Sequence, residues 1–213
     1  MSTPAAQRRE RILRAAVEIF AERGYAAAST AQIAAAAGAS KETLYSYFGD
    51  KAGLLRAALA SLVAAPQVPD AAPPVGEGMS AIRFERLLGQ VARRLVADLM
   101  RPEYLGLARV VVAETPREPA LADLFRDAVA GRALAGVAAL LRAGQRHGLV
   151  ERTVDVHAAA RAFVGPLLTY VLLDGLLRPA GDIRSPAERA IARQVALFHR
   201  SISPDRQPER ESP

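Results

Sequence analysis

Apolar residues recur along this chain at helical spacing, and no stretch sustains the alternation of a strand. Ile12, Leu13, Ala16, Val17, Ile19 and Phe20 make the first stripe, which stops at Gly24, a residue suited to ending a helix. Ser29, followed three positions later by Gln32, has the pattern of a capping box and opens a short second helix with Ile33 and Ala34 inward. Gly38 can supply the left-handed backbone that a tight turn between helices requires. Ser40 then caps a third helix anchored by Leu44, Tyr45 and Phe48. From Lys51 the stripe continues through Leu54, Leu55, Ala58, Leu59 and Leu62, closing a compact head near residue 65.

Between Pro66 and Gly78 the composition shifts to proline, glycine, alanine and acids, which reads as a mobile connector. Phe84, Leu88, Val91 and Leu95 then mark a long helix ending at Met100, and Tyr104 to Glu114 is another between Pro102 and Pro116. A third runs from Leu121 to Arg146 and stops at Gly148, and Asp155 looks like the cap of an apolar helix reaching Leu177. Ser185-Pro186-Ala187-Glu188 has the form of a capping box with proline at the first helical position. It predicts a last helix with the stripe Ile191, Val195, Phe198 and Ile202. The chain is therefore expected to be all-α, with about nine helices. The head spans residues 5–65, the connector 66–79, the body 80–202 and a polar, disordered tail 203–213.

Charge and composition narrow the function. The chain of 213 residues carries 28 Lys and Arg against 22 Asp and Glu, a net charge of +6, which favours polyanionic partners. Its only two lysines, Lys41 and Lys51, both lie in the stretch that begins at the second short helix. Cysteine is absent, which excludes disulfides, thiol catalysis and Cys-ligated zinc. His147, His157 and His199 are scattered without metal-ligand spacing, so no metal or other cofactor is expected. The N-terminus is polar and basic, not signal-like, and the longest apolar run, Ala162 to Leu173, contains Pro166 and falls short of the roughly 20 residues that span a bilayer. The expectation is a cytoplasmic protein with no membrane partner. No phosphate loop, nucleophile elbow or paired acid and base is present, so enzymatic chemistry is not expected.

The stretch from Ser29 to Lys51 has the form of a helix-turn-helix. With Ile12, Ile19, Phe20, Ile33, Leu44 and Phe48 stacked into one small core, its second helix would expose Lys41, Glu42, Thr43, Ser46 and Tyr47. That surface suits a major groove. Arg11-Ile12-Leu13, Ala15-Ala16, Phe20, Gly24-Tyr25, Thr30, Ile33-Ala34, Ala37-Gly38, Ser40, Thr43-Leu44-Tyr45, Tyr47-Phe48 and Lys51 together resemble the head of the tetracycline-repressor (TetR) family. The match covers roughly residues 8 to 60. The body resembles the family in being long-helical, with some likeness to its multidrug-efflux and AefR-type members.

The resemblance implies a homodimeric regulator, expected to be a repressor and not an enzyme, that binds a palindromic operator in double-stranded DNA and releases it on binding a small molecule. Carried over residue by residue, Thr30 would hydrogen-bond a phosphate with the amides that begin its helix. Thr43, Tyr45 and Tyr47 would seat the recognition helix on the backbone, and Lys51 would hold a further phosphate. Lys41 and Glu42 would read bases, lysine at guanine O6/N7 and glutamate at cytosine N4, with Ser46 a lesser reader. Two positions depart from the family pattern: Glu42 stands where many members carry a small residue, and Ala31 where some place a base-contacting arginine. Tyr45 as a core aromatic and Lys51 as a solvated charge remain open alternatives. Arg8, Arg9, Arg11 and Arg14 suit either DNA contact or a solvated basic face.

In the body, Pro166 removes one backbone donor and should kink its helix, exposing a face near Thr169 and Tyr170 to a ligand cavity. Phe84, Leu88, Leu107, Val111, Phe125, Leu140, Phe163, Leu167 and Tyr170 are the candidate lining, suited to an uncharged apolar or aromatic effector. Plain core packing, and a kink that serves only packing, is the standing alternative. Val171, Leu172, Leu176, Ile191, Val195 and Phe198 look too apolar for a monomer surface and are the expected dimer interface, formed by the last two helices of each copy. The competing reading is a helical small-molecule carrier or enzyme whose head does not act on DNA.

Overall fold

A computed structural model describes residues 3–64 and 75–204. Most of the expected connector and residues 205–213 of the expected tail lie outside the described residues, as does the side chain of Leu62. Among the described residues there are ten α-helices and no strand. The head contains α1 (Pro4–Ala27), α2 (Thr30–Ala36), α3 (Lys41–Phe48) and α4 (Lys51–Ala64). The body contains α5 (Ala81–Leu99), α6 (Pro102–Glu114), α7 (Pro119–Phe125), α8 (Arg132–Arg146), α9 (Val156–Tyr170) and α10 (Glu188–Ile202). A π-helical turn, Arg126–Gly131, joins α7 to α8, so these two make one continuous rod where the sequence suggested a single helix.

Local chemistry sets most boundaries. Gly24 breaks α1 near its end with φ of +74°, and the Ala28 amide donates back to its carbonyl. Ser80 accepts from the Arg83 amide at the start of α5, and Asp155 accepts from the amides of His157 and Ala158 at the start of α9. Those two amides also hold the Asp155 carboxyl below its usual range. The last helix departs from expectation: α10 begins at Glu188, with Ala187 at the cap position and no side-chain cap bond. Glu188 does not reach back as a capping box requires; its carboxylate lies 3.8 Å from Arg93 on α5.

The helix through Pro166 reaches about as far as the sequence predicts, but its last part is π-helical and the whole is longer than the apolar run alone suggested. It continues past Tyr170 as a π-helical segment, Val171–Leu176, giving 21 residues from Val156 to Leu176. By length and composition this rod is apolar enough to cross a membrane. In this fold it packs against α5, α8 and α10 instead. Phe84, Leu88, Leu95, Val137, Leu141, Phe163 and Phe198 fill the body core, with the Phe163 and Phe198 rings edge to face at 5.0 Å.

The head does not close its own core. Ile12, Phe20, Ile33, Leu44, Leu54 and Leu55 are fully buried, but the same cluster takes in Leu107, Val110 and Val111 of α6 and Leu121 of α7. Ile19 and Phe48 are only partly buried at its edge. Burying each large apolar side chain contributes roughly 1.5–3 kcal/mol, so the α6 residues bind head to body by several kcal/mol. Gly106 makes the closest approach: a Cβ there would lie 2.5 Å from Ala21 Cβ and 2.7 Å from its Cα. Glycine at this position lets α1 and α6 touch along their backbones.

Candidate nucleic-acid interface

The α2–turn–α3 unit is held by short-range hydrogen bonds. Ser29 Oγ accepts from the Gln32 amide at 3.1 Å, and Gln32 Oε1 accepts from the Ser29 amide at 3.2 Å, completing the capping box. At the other end of α2, the Gly38 and Ala39 amides donate to Ala35 and Ala34, a turn made possible by φ of +61° at Gly38. Ser40 Oγ accepts from the Thr43 amide at 3.1 Å and starts α3. Leu44 is fully buried, and that anchor sets the rotation of α3: Lys41, Glu42, Tyr45 and Ser46 are exposed on one face, with Thr43 and Tyr47 half-buried beside it.

Each side chain on this face has a defined setting. Tyr45 is 41% exposed, so it is not a core aromatic, and its hydroxyl lies 3.0 Å from that of Thr30. Thr30 itself is buried, so of this pair it is the Tyr45 phenol that faces outward. Ser46 Oγ donates to the Thr43 carbonyl at 2.8 Å, which commits its proton and leaves its lone pairs to accept. The backbone amide at Glu42 and the Ser40 hydroxyl hold the Glu42 carboxyl below its usual range, so it is ionised at neutral pH. Lys51 sits at the start of α4, half-buried, with Nζ 3.4 Å from the Ala26 carbonyl and 4.5 Å above the Tyr25 ring.

Of the N-terminal arginines, two brace the motif from within the protein. Arg11 Nε donates to the Ala37 carbonyl at 3.5 Å, and the Arg9 guanidinium lies 5.4 Å over the Phe48 ring. Arg14 pairs with Glu10 one turn earlier at 3.9 Å, and Arg8 is exposed.

The body holds an apolar cavity of about 380 Å³ between α6 and the α9 rod. Val111 and Phe125 line it, as expected from the sequence. Phe84, Leu88, Leu140, Phe163 and Leu167 do not; they are buried in the body core, and Leu107 is buried in the core shared with the head. Tyr170 is half-buried and also off the lining. The α9 rod does form a wall, but through Gly165, Leu168, Thr169, Val171, Leu172 and Leu176. Tyr104, missed from the sequence, stacks against Phe125 at 5.8 Å in the opposite wall. Burial pushes its phenol far above the usual tyrosine range, so it stays neutral. Proline three residues before Thr169 was the signal for this helix, but nothing in the pattern specified which face would look into the cavity.

The expected dimer residues divide in the same way. Ile191, Val195 and Phe198 point inward and are buried within one chain, so the α10 stripe completes the protomer's own core. Val171 is buried too, and Leu176 is half-buried on the cavity wall. Leu172 is exposed, together with Leu168, Leu173 and Leu177 on the same rod and Leu197 on α10.

A capped helix-turn-helix whose second helix presents polar groups outward, on a body whose described residues form helices and no strand, defines a DNA-binding transcription regulator. Residues 12–58 match the family described as bacterial regulatory proteins, tetR family, and residues 86–201 match the AefR-like transcriptional repressor C-terminal domain. The chain belongs to the TetR family of transcriptional regulators. It is similar to the HTH-type transcriptional regulator SrpR of Pseudomonas putida, 27% identical over 91% of this chain and 83% of that protein. A TetR transcriptional regulator from Agrobacterium tumefaciens superposes with a TM-score of 0.75 at 28% identity, over 93% of this chain and 95% of that one. The flavonoid-responsive regulator FrrA superposes with a TM-score of 0.69 at 25% identity, over 93% of this chain and 98% of that one. These relatives are regulators, not enzymes.

Proposed function

We propose that this regulator is a cytoplasmic repressor that binds a palindromic operator as a homodimer and releases it when a small apolar or aromatic molecule occupies the body cavity. The cavity carries the effector part of this reading. Its volume falls within the range of small-molecule sites, about 300–1,000 Å³. Thirteen residues line it, and only Tyr104 and Thr169 among them have polar side-chain atoms. The Thr169 hydroxyl already donates to the Gly165 carbonyl at 3.3 Å. A charged ligand would leave its solvation here for little in return, whereas an aromatic one would meet the Tyr104 and Phe125 rings. Likeness to a flavonoid-responsive regulator supports the same class.

On DNA, Lys41 and Glu42 read bases, with Ser46 accepting from a base donor. Thr43, Tyr45, Tyr47 and Lys51 hold the backbone, Thr30 acting through its bond to Tyr45. Two copies related by a two-fold axis, joined through the exposed leucines of the α9 rod and α10, place two recognition helices about 34–36 Å apart or further. Effector binding shifts the population toward a body whose heads no longer match that spacing.

The test is a gel shift with the DNA upstream of the protein's own gene, in random competitor DNA, with and without uncharged aromatic compounds. Retardation that survives about a thousandfold competition and is reversed by an uncharged compound but not by its anionic analogue is the expected result. Failure to retard at low salt, or release by anions alone, overturns the reading.

A further inference from the structure

Arg109, on α6, is half-buried and bonds only to carbonyls among the described residues. Its Nε donates to the Leu176 carbonyl at 3.0 Å, and Nη2 donates to those of Gly175 at 2.9 Å and Arg178 at 2.7 Å. These carbonyls lie at and just past the end of the α9 rod, at the negative end of the helix dipole, and that of Gly175 also accepts from the Arg178 amide at 3.2 Å. A guanidinium fork suits that place better than an ammonium, because its donors are fixed in a plane.

The clasp coincides with close packing. A Cβ on Gly175 would lie 2.9 Å from Met100 Sδ and 3.1 Å from both Leu105 methyls, so the rod's end is pressed onto α5 and α6. Within one and a half turns, α6 therefore meets three things. Leu105 and Ala108 line the cavity, Gly106 lies on Ala21 of α1, and Arg109 grips the end of the opposite cavity wall. Arg109 and Arg178 also border a cleft whose other side is Phe20, Arg23 and Tyr25 of the head. The gripped segment is the π-helical one, Val171–Leu176, a geometry frequent at functional sites.

We propose that Arg109 is the positioning residue that couples the cavity to the head. A ligand that presses on Leu172 and Leu176 displaces the rod's end, and the clasp passes that displacement to α6 and, through Gly106, to α1. Without the clasp the rod moves alone and the head does not respond. This rests on the effector-release reading.

The experiment compares wild type with Arg109→Met and Arg109→Lys as full-length protein. It uses the DNA that wild type selects from a random pool and the uncharged dye N-phenyl-1-naphthylamine as cavity probe. In wild type, saturating dye is expected to weaken DNA binding about tenfold. In Arg109→Met, dye and DNA should each bind within about threefold of wild type while the dye's effect on DNA falls below about twofold. Arg109→Lys, which keeps the charge without the fork, should lie between them. Hydrogen exchange read in parallel should rise in residues 171–178 and also in residues 20–27, to which Arg109 makes no hydrogen bond. An undiminished dye effect in either variant, or faster exchange confined to residues 171–184, overturns the proposal. If the dye fails to bind wild type or to weaken its grip on DNA, the effector-release reading falls, and the exchange pattern alone decides the clasp.

Discussion

Gly106→Ala puts a single methyl where the head and body touch most closely. The new Cβ would stand 2.5 Å from Ala21 Cβ, 2.7 Å from Ala21 Cα and 2.8 Å from its carbonyl oxygen. Carbon atoms rest at about 3.5–4.0 Å, so α1 and α6 must part by roughly an ångström, and no rotamer change can relieve contacts that include backbone atoms. Overpacking of this kind costs about 1–3 kcal/mol. Alanine in a helix recovers about 0.5–1 kcal/mol relative to glycine, leaving a net loss of about 0–2.5 kcal/mol, centred a little above 1 kcal/mol. For a chain of this size the central value lowers the melting temperature by about 2–5 °C. Gly165→Ala is the control, because its Cβ would meet nothing within 4 Å. It should leave the melting temperature unchanged or raise it slightly. Thermal unfolding followed by circular dichroism checks both. An unshifted or raised melting temperature in Gly106→Ala would refute the claim that bare backbone contact joins head to body.

Three further outcomes are expected. Lys51→Ala should weaken binding to all DNA sequences and flatten the slope of log K against log salt by about one unit, read by fluorescence anisotropy across a salt series; an unchanged slope removes Lys51 from the phosphate contacts. Lys41→Ala should relax base preference at one position per half-site in a selection from random DNA, and an unaltered preference removes it from base reading. His199 is buried beside Phe84 with Nε2 unpartnered, and burial lowers its pKa although Glu85, 3.6 Å away, opposes this. The unfolded chain therefore takes up the proton first, so this contribution is complete above the ordinary histidine pKa and is lost as pH falls below it. Melting temperature should fall from about pH 7.5 to about pH 5.5, and less steeply in His199→Gln; equal slopes would place the acid sensitivity elsewhere.

What could be read from the sequence was the chemistry that acts over a few residues. Ser29 with Gln32, Ser40 and Asp155 each cap the helix they were expected to cap, because a side chain and an amide three positions on need no distant partner. The exposed face of α3 that carries Lys41, Glu42 and Ser46 was legible, but of its expected anchors only Leu44 is fully buried. Phe48 is half-buried, Tyr45 is exposed, and Thr43 and Tyr47, expected outside, are half-buried. Contacts across the chain were less legible. An apolar stripe such as Ile191, Val195 and Phe198 says that a face is covered without saying by what, and here the cover is the same chain. A cavity wall and a packed core draw on the same side chains, so Leu88 and Val111 look alike until the helices are placed. Gly106 and Gly175 carry no signal in their neighbours' spacing; their purpose lies in Ala21 and Leu105, far along the chain. The capping box expected at Ser185 does not form: α10 starts later, at Glu188, with Ala187 at the cap position.

The most direct test of the account is selection of binding sites from random DNA by the full-length protein, followed by affinity measurement on the enriched sequence. An inverted repeat with half-sites about one helical turn apart or further, bound by two copies or more and preferred over random DNA by about a thousandfold, is the predicted result. Enrichment of no sequence, or of a single site without two-fold symmetry, would contradict it.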